Sequence, residues 1–397
     1  MSDKLVIPYG RQEITQQDID SVVGVLTSDF LTQGPKVPEF ERSLTNFSGA
    51  KHALAVNSAT SALHIACLAL GVEKGDLVWT TPITFVASAN CALYCGADVD
   101  FVDIDSNTYN LSPLKLKEKL EYAKAHKLPL PKVVIPVHLC GQSCDMKVIA
   151  ELSVEYGFSI IEDASHAIGG SYEGHVIGSC KYSDITVFSF HPVKIITTAE
   201  GGAALTNSDN LAEKMALFRS HGITRDPALM QGESDGSWYY QQIELGFNYR
   251  MTELQAALGV SQMQRLDEFV AARHHLAKRY NTLLSRLPLI TPFQLDNTYS
   301  GLHLYVIRLQ LDKINLTHQQ VFNALRENGI GVNLHYIPVH LQPYYQNMGF
   351  KDNDFPAAEH YYQEAISIPM FHIMTEQQQD EVVSVLERIL LSSEAKI

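Results

Sequence analysis

Four separated segments carry residue types that could build one reaction centre. Lys194 closes the run Val187-Phe188-Ser189-Phe190-His191-Pro192-Val193-Lys194 and is followed by Ile195-Ile196-Thr197-Thr198-Ala199, with no acidic residue before Glu200. An amine in such surroundings loses charge stabilisation, so its pKa falls from about 10.4 and it becomes able to form a Schiff base. The alternative is a lysine whose stem is buried and whose ammonium reaches water. Ser189, five residues earlier, offers a hydroxyl to an anion. Asp163 ends the apolar run Ile160-Ile161-Glu162-Asp163, at the strand edge where open α/β sheets bind ligands. A carboxylate there could hold a protonated ring nitrogen, or simply cap the next segment.

The third segment, Asn57-Ser58-Ala59-Thr60-Ser61, falls between a strand and a helix. Its small residues leave helix-terminal N–H groups accessible to a phosphate, or it is a plain Ser/Thr N-cap. The fourth, Thr81-Pro82-Ile83-Thr84-Phe85, puts an aromatic face just after a strand, for stacking on a planar ring or for the core. A phosphate cradle, a ring-nitrogen carboxylate, a stacking aromatic and an electrophile-forming lysine together specify pyridoxal 5′-phosphate chemistry.

Other chemistries find less support. G-x-G-x-x-G after a strand, G-x-x-x-x-G-K-[ST], H-E-x-x-H and G-x-S-x-G are all absent. Ser112-x-x-Lys115 is a four-letter match of the kind chance supplies. Asp103-Ile-Asp105 follows a strand and could share a divalent cation, as in metal-dependent sugar-nucleotide transferases; the competing reading is a solvated turn. The cysteine pairs 91/95 and 140/144 lack the four clustered ligands a zinc site needs, so buried free thiols and no metal are expected.

Positioning such a centre requires a sheet. Strands are expected at 53–57, 77–81, 99–104, 133–138, 158–162 and 185–190, alternating with helices at 60–70, 85–94 and 147–156. This βαβα rhythm predicts a mainly parallel sheet flanked by helices, an α/β fold. One long helix or two spans 252–287. A strand at 302–311, a helix at 319–328, a strand at 332–336 and a closing helix at 376–391 then predict a smaller C-terminal α+β domain. The division is drawn as residues 1–258 and 259–397.

The 397 residues suffice for two or three domains. Thirty Lys and Arg against 44 Asp and Glu give a net charge of −14, which argues against nucleic acid as a partner. The amino terminus carries no long apolar region of secretory type. Residues 77–97 lack charge over a length that could span a bilayer, but their Thr, Pro, Ser, Asn and Gly content reads as strand, turn and buried helix. A cytoplasmic protein that does not enter the membrane is expected.

At Leu31-Thr-Gln-Gly34, Asn57-Ser-Ala-Thr-Ser-Ala-Leu63, Glu162-Asp-Ala-Ser-His166, Phe188-Ser-Phe-His-Pro-Val-Lys194, Thr197-Thr-Ala-Glu-Gly-Gly202 and Gly246-Phe-Asn-Tyr-Arg250 the sequence resembles the DegT/DnrJ/EryC1/StrS sugar aminotransferases, and the likeness runs over nearly the whole chain. The resemblance implies a fold-type-I pyridoxal phosphate transferase. Lys194 would be the catalytic Schiff-base lysine and proton carrier. Asp163 would pair with the pyridine nitrogen, Phe85 would stack on the ring and His166 would lie beside it. Ser58, Ala59, Thr60 and Ser189 would hold the phosphate, with Asn248 reaching in from the second subunit of a homodimer. L-glutamate would be the amino donor. Ala199 stands where many members have Gly. A dehydratase branch carries His at the lysine position, so Lys194 favours transamination.

Arg219-Ser-His-Gly222 and Gly331-Val-Asn-Leu-His-Tyr336 resemble those members that aminate C4 of a UDP-linked 4-keto-6-deoxy-N-acetyl sugar in pseudaminic acid synthesis. A UDP-4-keto-pentose of lipid A modification is the nearest alternative. Thr32, Gln33, His221, Arg250, His335 and Tyr336 would contact substrate. A metal-dependent transferase built on Asp103 and Asp105, and a non-catalytic relative that keeps the fold, remain the readings from other classes.

Overall fold

The structure, a computed structural model, describes residues 7–391. The expectation about the amino-terminal signal falls largely on residues outside those described. The main sheet contains β1 (His52–Val56), β2 (Leu77–Thr80), β3 (Asp98–Phe101), β4 (Val133–Ile135), β5 (Ser159–Asp163), β6 (Ile185–Ser189) and β7 (Gly202–Thr206). Their spatial order is β1-β7-β6-β5-β4-β2-β3. Pairings from β6 through β3 are parallel; β7 runs antiparallel between β6 and β1, which leaves β1 parallel to the rest. Strand β7 was not expected from the pattern. Its Gly202-Ala-Ala-Leu-Thr206 sequence is fully buried and does not alternate, so it lacks the half-buried strand signature.

Of the helices α1 (Gln16–Leu26), α2 (Lys36–Ser48), α3 (Ala59–Ala69), α4 (Ala87–Tyr94), α5 (Pro113–Ala125), α6 (Met146–Tyr156) and α7 (Asp209–Arg219), α2 to α7 cover the sheet, and α1 packs on the later helix Glu253–Met263. Helix α3 is buried over nearly its whole length. Ala62 and Ala66 are fully buried, and such small side chains let α3 lie close to the strands. Gly202 continues that approach: a Cβ there would stand 2.5 Å from the Ala59 nitrogen, so only glycine lets the start of α3 rest on β7. Residues 77–97 form β2, a loop and α4, and among the described residues no helix is long and apolar enough to cross a membrane.

The expected helical stretch at 252–287 is two helices, α8 (Glu253–Met263) and α9 (Leu266–Leu283). The expected division after residue 258 falls inside α8. We propose instead the break at Gln264-Arg265, because α8 packs on α1 and α2. Helix α9 joins two cores: Leu266, Phe269 and Val270 pack with β7 and α2 residues, whereas Leu276, Tyr280 and Leu284 pack with the C-terminal elements. Those elements are α10 (His318–Glu327), the closing helix Glu376–Leu391 and an antiparallel sheet ordered Leu289–Ile290, Tyr305–Leu309, Ala365–Ile368. The strand expected at 332–336 does not form. Asn333 makes a single bridge to Ser367, after which His335 and Tyr336 turn into the cavity described below. Two consecutive side chains, His335 and Tyr336, both face the cavity, which a sheet strand would not allow.

The metal reading of Asp103 and Asp105 is not supported. Both Asp103 carboxylate oxygens accept helix-terminal N–H groups, from Ala357 and Ala358 at 3.0 Å each. They cap the helix Pro356–Glu364, whose own N-cap residue, Phe355, supplies no side-chain acceptor. Asp105 Oδ1 is occupied by its own turn, accepting from the backbone N–H groups of Asn107 and Thr108. No group of His, Cys, Asp and Glu suited to a metal ion occurs among the described residues. Replacing Asp103 by Ala should therefore lower unfolding free energy by about 1–2 kcal/mol in a denaturant titration. Loss of activity with unchanged stability would restore the metal reading.

Candidate active site

The carboxyl ends of β1, β2, β4, β5 and β6 open onto a cavity of about 460 Å³. At one end lies the start of α3. Ser58 caps it by accepting the Ser61 N–H at 3.2 Å, and the Ala62 N–H is taken by the Ser58 carbonyl. The Ala59 and Thr60 amides lie ahead of the first helical acceptor, with no partner among the described residues. Ser189 also lines the cavity. Two free amides at a helix N-terminus with a neighbouring hydroxyl make an anion cradle that needs no lysine or arginine. The capping and phosphate readings of this segment are compatible, because different groups serve each.

At the other end, Asp163 terminates β5 and is buried. Its Oδ2 accepts from Ser88 Oγ at 2.6 Å, and its Oδ1 accepts from the Ser165 hydroxyl at 2.5 Å and the Ser165 N–H at 3.1 Å. Phe85, 59% exposed, stands at the cavity mouth with its ring centroid 6.2 Å from that of Tyr336. A side chain this apolar and this exposed has a face free for a planar ring.

Lys194 is half-buried in the cavity wall, held by its N–H to the His191 carbonyl. Burial draws its amine down to about 8, against the opposing pull of the Asp163 carboxylate. Three imidazoles surround it, and all are kept neutral. Burial and the neighbouring Lys194 push His166 and His303 well below the ordinary histidine value, and bring His335 to about 3. His166 Nδ1 accepts the Cys140 N–H at 3.2 Å, so its proton sits on Nε2, facing the Tyr336 hydroxyl at 3.2 Å. His335 is fixed by Ser367 Oγ at 2.7 Å. Among the described residues Lys194 is the only Lys or Arg lining the cavity.

Ser58, Ala59, Thr60, Phe85, Asp163, His166, Ser189, Lys194, His335 and Tyr336 thus share one cavity. Thr32, Gln33, His221, Asn248 and Arg250 do not line it. The first four are exposed on the chain surface, and Arg250 bridges Val56 at the end of β1. Tyr9, Thr84, Ser88, Glu200 and His303 line the cavity without having been singled out. The Thr84 and Ser88 pair had a usable signal, hydroxyls four residues apart around the start of a helix. His303 sits in an ordinary strand-entry sequence that carries none.

An amine ready to attack an aldehyde, a fixed carboxylate across the cavity and a cradle for one phosphate match what a pyridoxal phosphate enzyme requires. The close approach of α3 at Gly202 leaves the cradle amides clear. The chain belongs to the DegT/DnrJ/EryC1/StrS aminotransferase family, whose pattern matches residues 12–387. It is 40% identical over 387 residues to the spore coat polysaccharide biosynthesis protein SpsC of Bacillus subtilis, covering 97% of each chain. It is 36% identical over 389 residues to the UDP-4-amino-4,6-dideoxy-N-acetyl-beta-L-altrosamine transaminase of Campylobacter jejuni, covering 97% of this chain and 98% of the other. Among solved structures, Helicobacter pylori PseC, an aminotransferase of pseudaminic acid biosynthesis, aligns with a TM-score of 0.87 at 31% identity, over 98% of this chain and 100% of that one. The putative sugar aminotransferase Spr1654 of Streptococcus pneumoniae, in its PLP form, aligns with a TM-score of 0.86 at 27% identity, over 98% and 99%. The protein is a sugar aminotransferase of the fold-type-I class, and its cofactor is pyridoxal 5′-phosphate.

The depressed amine value has a direct consequence in the cofactor-free protein. Below about pH 8 the protonated form of Lys194, which cannot attack an aldehyde, predominates. The rate of pyridoxal phosphate capture, followed by absorbance, should rise through pH 8 and level off above it. A midpoint near 10 would show an amine with no desolvation.

Proposed function

We propose that this enzyme transfers the amino group of L-glutamate to the C4 ketone of a UDP-linked 4-keto-6-deoxy sugar, UDP-2-acetamido-2,6-dideoxy-β-L-arabino-hex-4-ulose, in the pseudaminic acid pathway. The observation that carries the chemistry is Lys194, a desolvated amine in the same cavity as the buried Asp163. The substrate class is supported by the likeness to the Campylobacter transaminase and to PseC. The 40% identity to SpsC favours a second reading, another nucleotide 4-keto sugar destined for a surface polysaccharide.

Bound pyridoxal phosphate supplies an electron sink for the carbon that loses its proton. The chain's own residues do the rest. The Ala59 and Thr60 amides and Ser189 would hold the phosphate. Asp163 would hold the ring nitrogen, and Phe85 and His166 would confine the ring. Lys194 Nζ would be the group that moves the proton in both half-reactions, as base and then as acid. His335 and Tyr336, neutral and on the C-terminal wall, fit hydrogen bonding to sugar hydroxyls.

Among the described residues Lys194 is the one Lys or Arg in the cavity, which leaves the carboxylates of glutamate and the diphosphate short of cationic partners there. We infer a cytoplasmic homodimer in which Asn248 and Arg250, with Thr32, Gln33 and His221, complete the partner's site. Phe30 at 52%, Leu31 at 51% and Leu245 at 74% exposure put apolar surface beside these residues, as a subunit interface would.

Glutamate added to the purified enzyme should convert the aldehyde form of the cofactor to the amine form, with release of 2-oxoglutarate. A panel of UDP-4-keto sugars should then return the spectrum, fastest with the 6-deoxy-N-acetyl substrate. Lys194→Arg should reduce turnover by at least about a thousandfold with the fold retained. Normal turnover in that variant would refute the mechanism, and equal rates across the sugar panel would refute the substrate.

A further inference from the structure

The Asp163 carboxylate is not held by its own strand alone. Ser88 Oγ lies 2.6 Å from Oδ2, and Thr84 Oγ1 lies 2.8 Å from Ser88 Oγ. All three groups are buried, at 5%, 1% and 2% exposure for Asp163, Ser88 and Thr84. Counting protons gives the chain a direction. A carboxylate only accepts, so the single Ser88 proton points at Asp163, and the Thr84 hydroxyl must donate to Ser88. A hydrogen bond to an ionised acceptor is about twice as strong as a neutral one, and burial removes the water that would compete for it.

Ser88 also belongs to the Phe85 segment. It is the second residue of α4, and its N–H donates to the Phe85 carbonyl at 3.2 Å. The loop that carries the aromatic face and the carboxylate at the end of β5 are therefore tied through one hydroxyl, although 75 residues separate them. Helix α4 has no side-chain cap of its own, since Val86 occupies the N-cap. Packing alone would not call for a serine at this place: Ala89, Cys91 and Ala92 fill the rest of the buried face with apolar groups.

We propose that Ser88, backed by Thr84, is a positioning residue for the cofactor: it orients the Asp163 carboxylate toward the pyridine nitrogen and locks that carboxylate to the loop bearing Phe85. The proposal rests on the assignment of Asp163 to the ring nitrogen. Removing the Ser88 hydroxyl strips Oδ2 of its donor, takes from Thr84 the acceptor it has in Ser88 and leaves the carboxylate held through Oδ1 alone, by Ser165. The ring nitrogen then meets a less firmly placed acceptor, and the Phe85 loop loses its tie to β5.

The test is made on enzyme loaded with pyridoxal phosphate carrying 15N at the ring nitrogen. In Ser88→Ala the 15N resonance should shift from its wild-type position and cofactor dissociation should become about tenfold easier. Ser88→Thr should restore both, and Thr84→Val should shift the resonance in the same direction by less. Asp163→Asn is the control. If it leaves the resonance unmoved, the assignment of Asp163 itself fails. If it moves the resonance while Ser88→Ala does not, Asp163 stands and the role of Ser88 is overturned. A Ser88→Thr enzyme as impaired as Ser88→Ala, with equal falls in apo-protein melting temperature, would also overturn it in favour of packing. Should Ser88→Ala not fold, an unmoved resonance in Thr84→Val overturns the proposal.

Discussion

A buried carboxylate and a half-buried amine share one cavity, and most features of the site follow from keeping both usable. Desolvation makes the Lys194 ammonium costly, which is what brings its amine near the working pH, while Asp163 limits how far it falls. The same desolvation would penalise Asp163 if its oxygens were not met by Ser88 and Ser165. The histidines around the amine then have to be neutral. His166 achieves this by accepting a backbone N–H and offering its remaining proton to Tyr336. Neutral imidazoles add hydrogen-bonding surface without adding charge that would compete with Lys194.

The fold supplies this arrangement through strand order rather than proximity in sequence. Asp163 and the segment leading to Lys194 end neighbouring parallel strands, β5 and β6, so they emerge at the same sheet edge. The segment proposed as the phosphate cradle follows β1, which runs parallel to β6 across the intervening antiparallel β7 and so ends at the same edge. Gly202 at the start of β7 then admits the first turn of α3. A side chain there would push the cradle amides away from the cavity. The net charge of −14 is compatible with anionic ligands for this reason: in the proposed site one phosphate would be met by backbone amides and a hydroxyl, with no basic patch required.

Much of this was legible in the sequence, and the limits have physical causes. Strand ends with chemically distinctive residues, Asp163 and Ser189 through Lys194, were readable because polar groups closing apolar runs stand out. Strand β7 was not, because a strand buried on both faces shows no alternation. The segment 332–336 read as a strand, but it pairs at Asn333 through one isolated bridge and then gives two consecutive side chains, His335 and Tyr336, to the cavity. Asp103 and Asp105 had metal-like spacing, but Asp103 serves a helix more than 250 residues away, a partner that no local pattern could name. Thr32, Gln33, His221, Asn248 and Arg250 came from family resemblance alone, and they lie off the cavity of a single chain.

The account depends most on Lys194 being the amine that joins the cofactor. Borohydride reduction of the pyridoxal phosphate-loaded enzyme, followed by peptide mapping by mass spectrometry, reads this directly. A pyridoxyl-phosphate group found on Lys194 alone is the predicted result. The same group on any other lysine, with Lys194 unmodified, would contradict the reading of the cavity.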